Sequence, residues 1–180
     1  MSFTQTNIRP NNLFAGVAAD TTHTPCETYV NAEASQELAF GTMAVQGTLD
    51  SDAKVFASNA NKMIGIVRNH FAYALTNGPA FAGEIGTIGV KPKVAIQAAQ
   101  RGKMTVVVGE AVTPASPVRV RADTNAGALG TSLAPGTFCT TASAGHTIRL
   151  PFARFTTSTT GAGVAELAFD MDMRDTAVND

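Results

Sequence analysis

The chain has 180 residues, of which 44% are hydrophobic and only 15% charged, against roughly 25% charged in an average soluble protein. That balance excludes disorder of the bulk of the chain, and the length allows one domain with a full hydrophobic core. A formal net charge of −1, with no cluster of Lys or Arg, argues against nucleic acid as a direct partner, because phosphate neutralisation needs clustered cations.

Apolar runs such as Met104–Val108 are far too short to cross a bilayer, so no membrane contact is expected. The surface must be covered by Thr, Ser, Ala, Gly and Asn in place of charge. Such a surface suits a chain held against other protein, since charge is what the centres of interfaces lack.

Residues 1–16 read as an extended N-terminal arm. Asn7, Pro10, Asn11 and Asn12 interrupt regular structure, while Phe3, Ile8, Leu13 and Phe14 are apolar enough to need burial. These four are the candidate contact residues, to the chain's own domain or to a neighbouring subunit. The first residues have neither a basic region nor an apolar stretch, so no secretory leader is expected and synthesis is placed in a cytoplasm.

Residues 17–173 read as a single β-rich domain. Leu38–Val45 forms a strand, followed by a turn at Asp50-Ser51-Asp52. Met63–Val67 is a short apolar strand whose internal Gly65 predicts a bulge or a close backbone approach. Val94–Ile96 leads to a turn at Arg101-Gly102, and Lys103–Val108 is a β-branched buried strand. Val118, Val120 and Ala122 face inward, with Arg119, Arg121 and Asp123 on the solvated face. Thr147–Leu150 repeats that alternation. In the last strand Ala165, Leu167, Phe169 and Met171 alternate with Glu166, Ala168, Asp170 and Asp172.

Helical turns are expected only at 31–38 and 57–62. The stretch 71–89, rich in Gly and Ala, reads as a loop or hairpin excursion from the sheet, and 174–180 as a C-terminal tail. Short strands punctuated by Gly and Pro indicate an all-β fold, a compact β-barrel or jelly-roll-like sandwich.

No motif in the chain carries catalysis. His23, His70 and His146 are far apart, and His23 with Cys26 supplies only half of a structural metal shell. Cys26 and Cys139 read as small, partly buried apolar side chains in a reducing compartment. Gly83, Gly86 and Gly89 do not make a phosphate-binding turn, and neither a nucleophile elbow nor a zinc-protease motif is present. Asp170, Asp172 and Asp175 lack the glycine and distal Glu of a calcium loop and read as a solvated strand face. No cofactor, no metal and no enzymatic activity are expected.

The stretch Arg101-Gly102-Lys103-Met104-Thr105-Val106-Val107-Val108-Gly109-Glu110-Ala111-Val112-Thr113-Pro114, continued by Val118-Arg119-Val120-Arg121, resembles the structural cement proteins of tailed phages. Ala153-Arg154-Phe155-Thr156-Thr157-Ser158 and Gly161–Leu167 are similar to that family's ending, and Val30–Ser35, Phe40-Gly41 and Gly65-Ile66 to its upstream landmarks. The resemblance runs in order from about Phe14 to Phe169, leaving the arm, 71–89 and the tail unmatched.

It implies a virion protein on the capsid exterior, a decoration protein that binds the phage major capsid protein, bridges neighbouring subunits and forms a homo-oligomer, a dimer or trimer at capsid symmetry axes. The alternative is a receptor-binding or fibre-associated β domain. That reading calls for a shaft repeat or an aromatic sugar platform, but Trp is absent and Tyr29 and Tyr73 are the only tyrosines.

Overall fold

A computed structural model describes residues 15–19, 24–58, 60–69, 89–125 and 133–171, with the backbone of 178–179. Among these residues the fold is all-β, and no helix is long and apolar enough to cross a membrane. Strands β1 (Cys26–Asn31), β3 (Met43–Gln46), β4 (Asp52–Lys54), β5 (Met63–Val67) and β7 (Ala95–Ala99) close into a barrel in the order β1-β4-β3-β5-β7. A seven-stranded sheet follows, in the order β12-β13-β8-β10-β9-β11-β14. Its members are β8 (Arg101–Val108), β9 (Arg119–Arg121), β10 (Phe138–Cys139), β11 (Thr147–Arg149), β12 (Ala153–Phe155), β13 (Gly163–Asp170) and β14 (Val178–Asn179). A small pair, β2 (Leu38–Ala39) with β6 (Gly89–Val90), completes the fold.

The expected barrel is therefore present, with a second sheet packed on it. Alternation along the barrel strands divides their side chains between two cores. Ala44, Ala53, Ile64 and Ile96 join Leu38, Phe40 and Val90 in one cluster. Met43, Val45, Met63 and Ile66 join Met104, Val106, Phe138, Phe155 and Leu167 from the seven-stranded sheet in the other. That shared cluster is what fastens barrel to sheet, since apolar burial scales with the area removed from water.

Several local expectations shift. Leu38–Val45 is two strands, broken where Gly41 turns with φ 73°. A side chain there would meet the Ala15 Cβ and the Gly16 N, each at 2.8 Å. Gly65 lies where a close approach was predicted: a Cβ would come within 2.5 Å of the Ala99 carbonyl, and the opposing strand shifts register between Ala44 and Val45.

Arg101-Gly102 is not a turn but the start of β8, paired with Asp170 and Phe169. The chain crosses from barrel to sheet at the single residue Gln100. Its backbone N–H donates to Pro25, its carbonyl accepts from Met171, and its side-chain amide donates to the Ile64 carbonyl at 2.5 Å.

Among the described residues neither 31–38 nor 57–62 forms a helix. Asn31 ends β1 fully buried, its side chain donating to the Val90 and Gln36 carbonyls and accepting from the Glu33 N–H. In 57–62 the Asn61 carboxamide accepts from the Ala57 and Ser58 N–H groups. The first is an Asx-type turn, and in the second the Asn61 side chain reaches back to the start of its own loop; in both a side chain supplies an acceptor for local backbone N–H groups.

The final strand keeps its predicted register. Leu167 is 0% and Phe169 6% exposed, and both belong to the shared core. Its other face is less solvated than expected, because Glu166 is buried and accepts from the Thr156 hydroxyl at 3.2 Å. Truncating Phe169 to Ala should destabilise the protein by about 3–5 kcal/mol, the range for a buried Phe. Leu49→Ser, at a hairpin tip where Leu49 is 64% exposed, should change stability by less than about 0.5 kcal/mol. Chemical denaturation of both variants checks the pair, and equal midpoints would show that Phe169 is not a core residue.

Candidate functional site

The sequence-predicted contact residues Phe3, Ile8, Leu13 and Phe14 lie outside the described residues. The structure does describe where the chain joins the domain. Ala15 is buried, and Gly16 to Ala19 run antiparallel along β8 as a strap. The Gly16 N–H donates to the Thr105 carbonyl at 2.7 Å, the Thr105 N–H to Val17 at 2.9 Å, and the Ala19 N–H to Lys103 at 2.9 Å. Among the described residues the attachment runs from Ala15 to Ala19.

Of the residues weighed for chemistry, His23, His70, Asp172 and Asp175 also lie outside the described residues. Cys26 and Cys139 are both free thiols, the first half-buried and the second buried. The Cys26 Sγ lies 3.5 Å from the Arg68 guanidinium and donates to the Thr24 carbonyl at 3.2 Å. Among the described residues no three His, Cys, Asp or Glu side chains are grouped so as to hold a metal ion.

Two polar clusters escaped the sequence reading. The first surrounds the end of β9. Arg121, expected on a solvated face, is fully buried, and its Nε donates to the Asp123 carbonyl at 2.8 Å while Nη2 donates to the Asn125 carbonyl. Asp123, 8% exposed, receives the Asn125 N–H at 3.0 Å and lies 2.8 Å from the His146 Nδ1. Burial pushes the Asp123 carboxyl up, but the His146 contact and the two Asn125 donors outweigh it and hold the group below the ordinary range.

The second cluster centres on Glu110, just after β8. Its carboxylate accepts from the backbone N–H and the hydroxyl of both Thr140 and Thr141, the Thr141 pair at 2.7 and 2.8 Å. Burial again raises this carboxyl, and the four donors lower it further than burial lifts it. The same residue's carbonyl accepts from the Thr159 hydroxyl, which ties in the segment before β13.

Both clusters clamp loops. The Asp123–His146 contact joins the exit of β9 to the start of β11, and Glu110 joins the exit of β8 to the exit of β10. The guanidinium and both carboxylates are engaged by the chain itself. No sequence spacing marks the contacts that join one loop to another, because Asp123 and His146 are 23 residues apart and Glu110 and Thr141 31.

What faces outward is a surface poor in charge, with Leu49, Val30 and Val17 as its exposed large apolar side chains among the described residues. Leu49 and Val30 lie near each other, since Val30 is the register partner of Asp52, whose N–H donates to the Leu49 carbonyl.

The clamps predict acid sensitivity. Glu110 and Asp123 have folded-state pKa values below their unfolded ones, so their stabilisation is complete above the unfolded carboxylate pKa of about 4 and is lost as pH falls through the folded value. The melting temperature should fall below about pH 4, and the fall should be smaller in Glu110→Gln and Asp123→Asn, which lack one titrating clamp each. A wild-type profile flat to pH 2.5 would remove both clamps from the account of stability.

No curated protein matches the chain. Among solved structures, a chain from "The capsid of Myoviridae Phage XM1" is similar in fold, with TM-score 0.62 and 15% identity, covering 94% of this chain and 98% of that one. The sequence profile described as structural cement protein (E217 gp24/Pam3 gp6) matches residues 3–170. The match includes the β8 stretch and the β12–β13 ending, and it takes in strands of both sheets, so this chain belongs to the structural cement protein family and is a structural protein of the phage capsid.

Proposed function

We propose that the protein binds the outer surface of the expanded capsid and bridges neighbouring copies of the major capsid protein, as a homo-oligomer, a dimer or trimer at capsid symmetry axes. The observation that carries this reading is the family match over residues 3–170. The physical chemistry of the surface supports it. The buried guanidinium and both clamp carboxylates hold the protein's own loops, while the exterior offers Leu49, Val30 and Val17 among few charges. Such a surface loses little by desolvation when another protein covers it.

The work is mechanical and uses no catalysis, cofactor, nucleic acid or membrane. Packaged DNA pushes the shell outward. A protein whose site is made of two neighbouring capsid subunits binds only the lattice in which both halves are correctly spaced, and it shifts the equilibrium toward that lattice by its binding free energy. Several weak contacts on one bridging molecule act through a raised effective concentration. The arm adds apolar anchors at Phe3, Ile8, Leu13 and Phe14, which are covered by protein in the assembled particle.

Purified protein should therefore saturate expanded, DNA-filled capsids at a fixed stoichiometry and bind unexpanded procapsids at least tenfold more weakly, measured by co-sedimentation. Equal binding to both shells would defeat the bridging mechanism. Phe3→Ser with Ile8→Ser should weaken capsid binding by about 1.5–3 kcal/mol for each apolar anchor lost, without moving the melting temperature of the free protein. A shift in melting with capsid binding unchanged would place that end of the arm inside the domain.

A further inference from the structure

Val120 of β9 and Ile148 of β11 point into the shared core, so Arg119, Arg121, Thr147 and Arg149 stand on the outer face of the same two strands. The register sets Arg119 directly opposite Arg149, and Arg121 opposite Thr147. Backbone bonds from the Leu150 N–H to Val118 and from the Ala122 N–H to His146 mark the hydrogen-bonded pairs, which leaves Arg119 and Arg149 as a non-bonded pair. Such a pair brings two Cα atoms to about 4.5 Å, the closer of the two spacings in an antiparallel sheet. Like charges placed there cost stability, in a chain with only 13 Lys and Arg among its 180 residues. We propose that Arg119 and Arg149 form a receptor for a carboxylate, supplied by an acidic side chain of the neighbouring protein chain that covers this face.

The two members differ in how they are held. Arg119 is half-buried, and its Nη1 donates to the Thr140 carbonyl at 2.8 Å, which fixes that guanidinium in place. Arg149 is exposed, and among the described residues no carboxylate contacts its guanidinium. The carboxylates of the two clamps are committed elsewhere. Glu110 accepts four bonds from Thr140 and Thr141, and Asp123 meets His146 and Asn125. Arg121, the third arginine of this face, is fully buried on the Asp123 and Asn125 carbonyls, so it adds positive charge and no outward donor.

The donors on this face suit a carboxylate better than a phosphate. A guanidinium fork matches two oxygens in one plane, whereas phosphate contacts draw on backbone N–H and hydroxyl groups as well. Here the N–H groups and hydroxyls of Thr140 and Thr141 all go to Glu110. A carboxylate seated between the two guanidinium groups removes their repulsion, so the free protein carries a cost that binding relieves. The inference rests on the capsid reading for the partner alone, and the site itself belongs to the free protein.

Melting and capsid binding test it with Arg149→Gln, a change at an exposed position that spares the core. At low salt the variant should melt about 1–3 °C above wild type, and the difference should close at about 1 M salt, where screening shortens to about 3 Å. A variant that melts lower than wild type overturns the repelling pair. Sodium succinate, compared with sodium chloride at the same ionic strength, should raise the melting temperature of wild type more than that of the variant. Equal responses overturn the carboxylate site.

On expanded capsids Arg149→Gln should bind at least tenfold more weakly than wild type in co-sedimentation, despite its higher melting temperature. Arg149→Lys, which keeps the charge and loses the fork, should fall between them. A succinate response with capsid binding unchanged in Arg149→Gln overturns the acidic partner. Failure of the wild type itself to bind capsids counts against the capsid reading, and the succinate comparison then decides the site by itself.

Discussion

The fold depends on how the second edge of β8 is satisfied. Its first edge pairs with β13 along all eight residues, from Arg101↔Asp170 to Val108↔Gly163. A central strand must find partners for its other row of N–H and C=O groups as well, because buried unpaired backbone is costly. Three separate pieces of chain supply them. The strap takes Lys103 and Thr105, Gly41 takes Val107, and the Phe138 carbonyl accepts from the Gly109 N–H. Those pieces come from the N-terminus, the barrel and the later half of the sheet, so this one edge holds the parts of the molecule in register.

Glycine is required where the pieces meet. Gly16 and Gly41 both have positive φ and approach each other so closely that a Cβ on either would touch the other's backbone N. Gln100 plays a matching part on the other side of the junction, because a one-residue crossover leaves its polar groups no strand of their own. Bonds to Pro25, Ile64 and Met171 satisfy them from three different segments. The shared apolar cluster then fills the space between barrel and sheet. Hydrogen bonding sets the alignment there, and apolar burial supplies most of the stabilisation.

Hydrogen bonding also fixes the loops, where buried or half-buried charged groups hold them at set positions. Arg121 and Asp123 hold the chain leaving β9, and Glu110 holds that leaving β8 and β10.

The strands that were legible in the sequence are those whose side chains alternate between core and exterior, or that form a β-branched run. β5, β9, β11 and β13 fall where the pattern put them, and β8 does from Lys103 onward, because a period of two buries one face whatever the partner strand is. β1 was not legible: Cys26-Glu27-Thr28-Tyr29-Val30-Asn31 exposes half of its residues and is a strand because β7 and β4 flank it.

β10 is only two residues long, too short for any periodicity to register. The order of the strands, the division into barrel and sheet, and the burial of Arg121 and Glu166 were settled only in three dimensions. Composition and alternation determine that a chain like this one makes β-structure with a charge-poor exterior. Which polar groups end up inside depends on the acceptors that fold around them, as the Asp123 and Asn125 carbonyls do around Arg121, and no alternation of side chains records those.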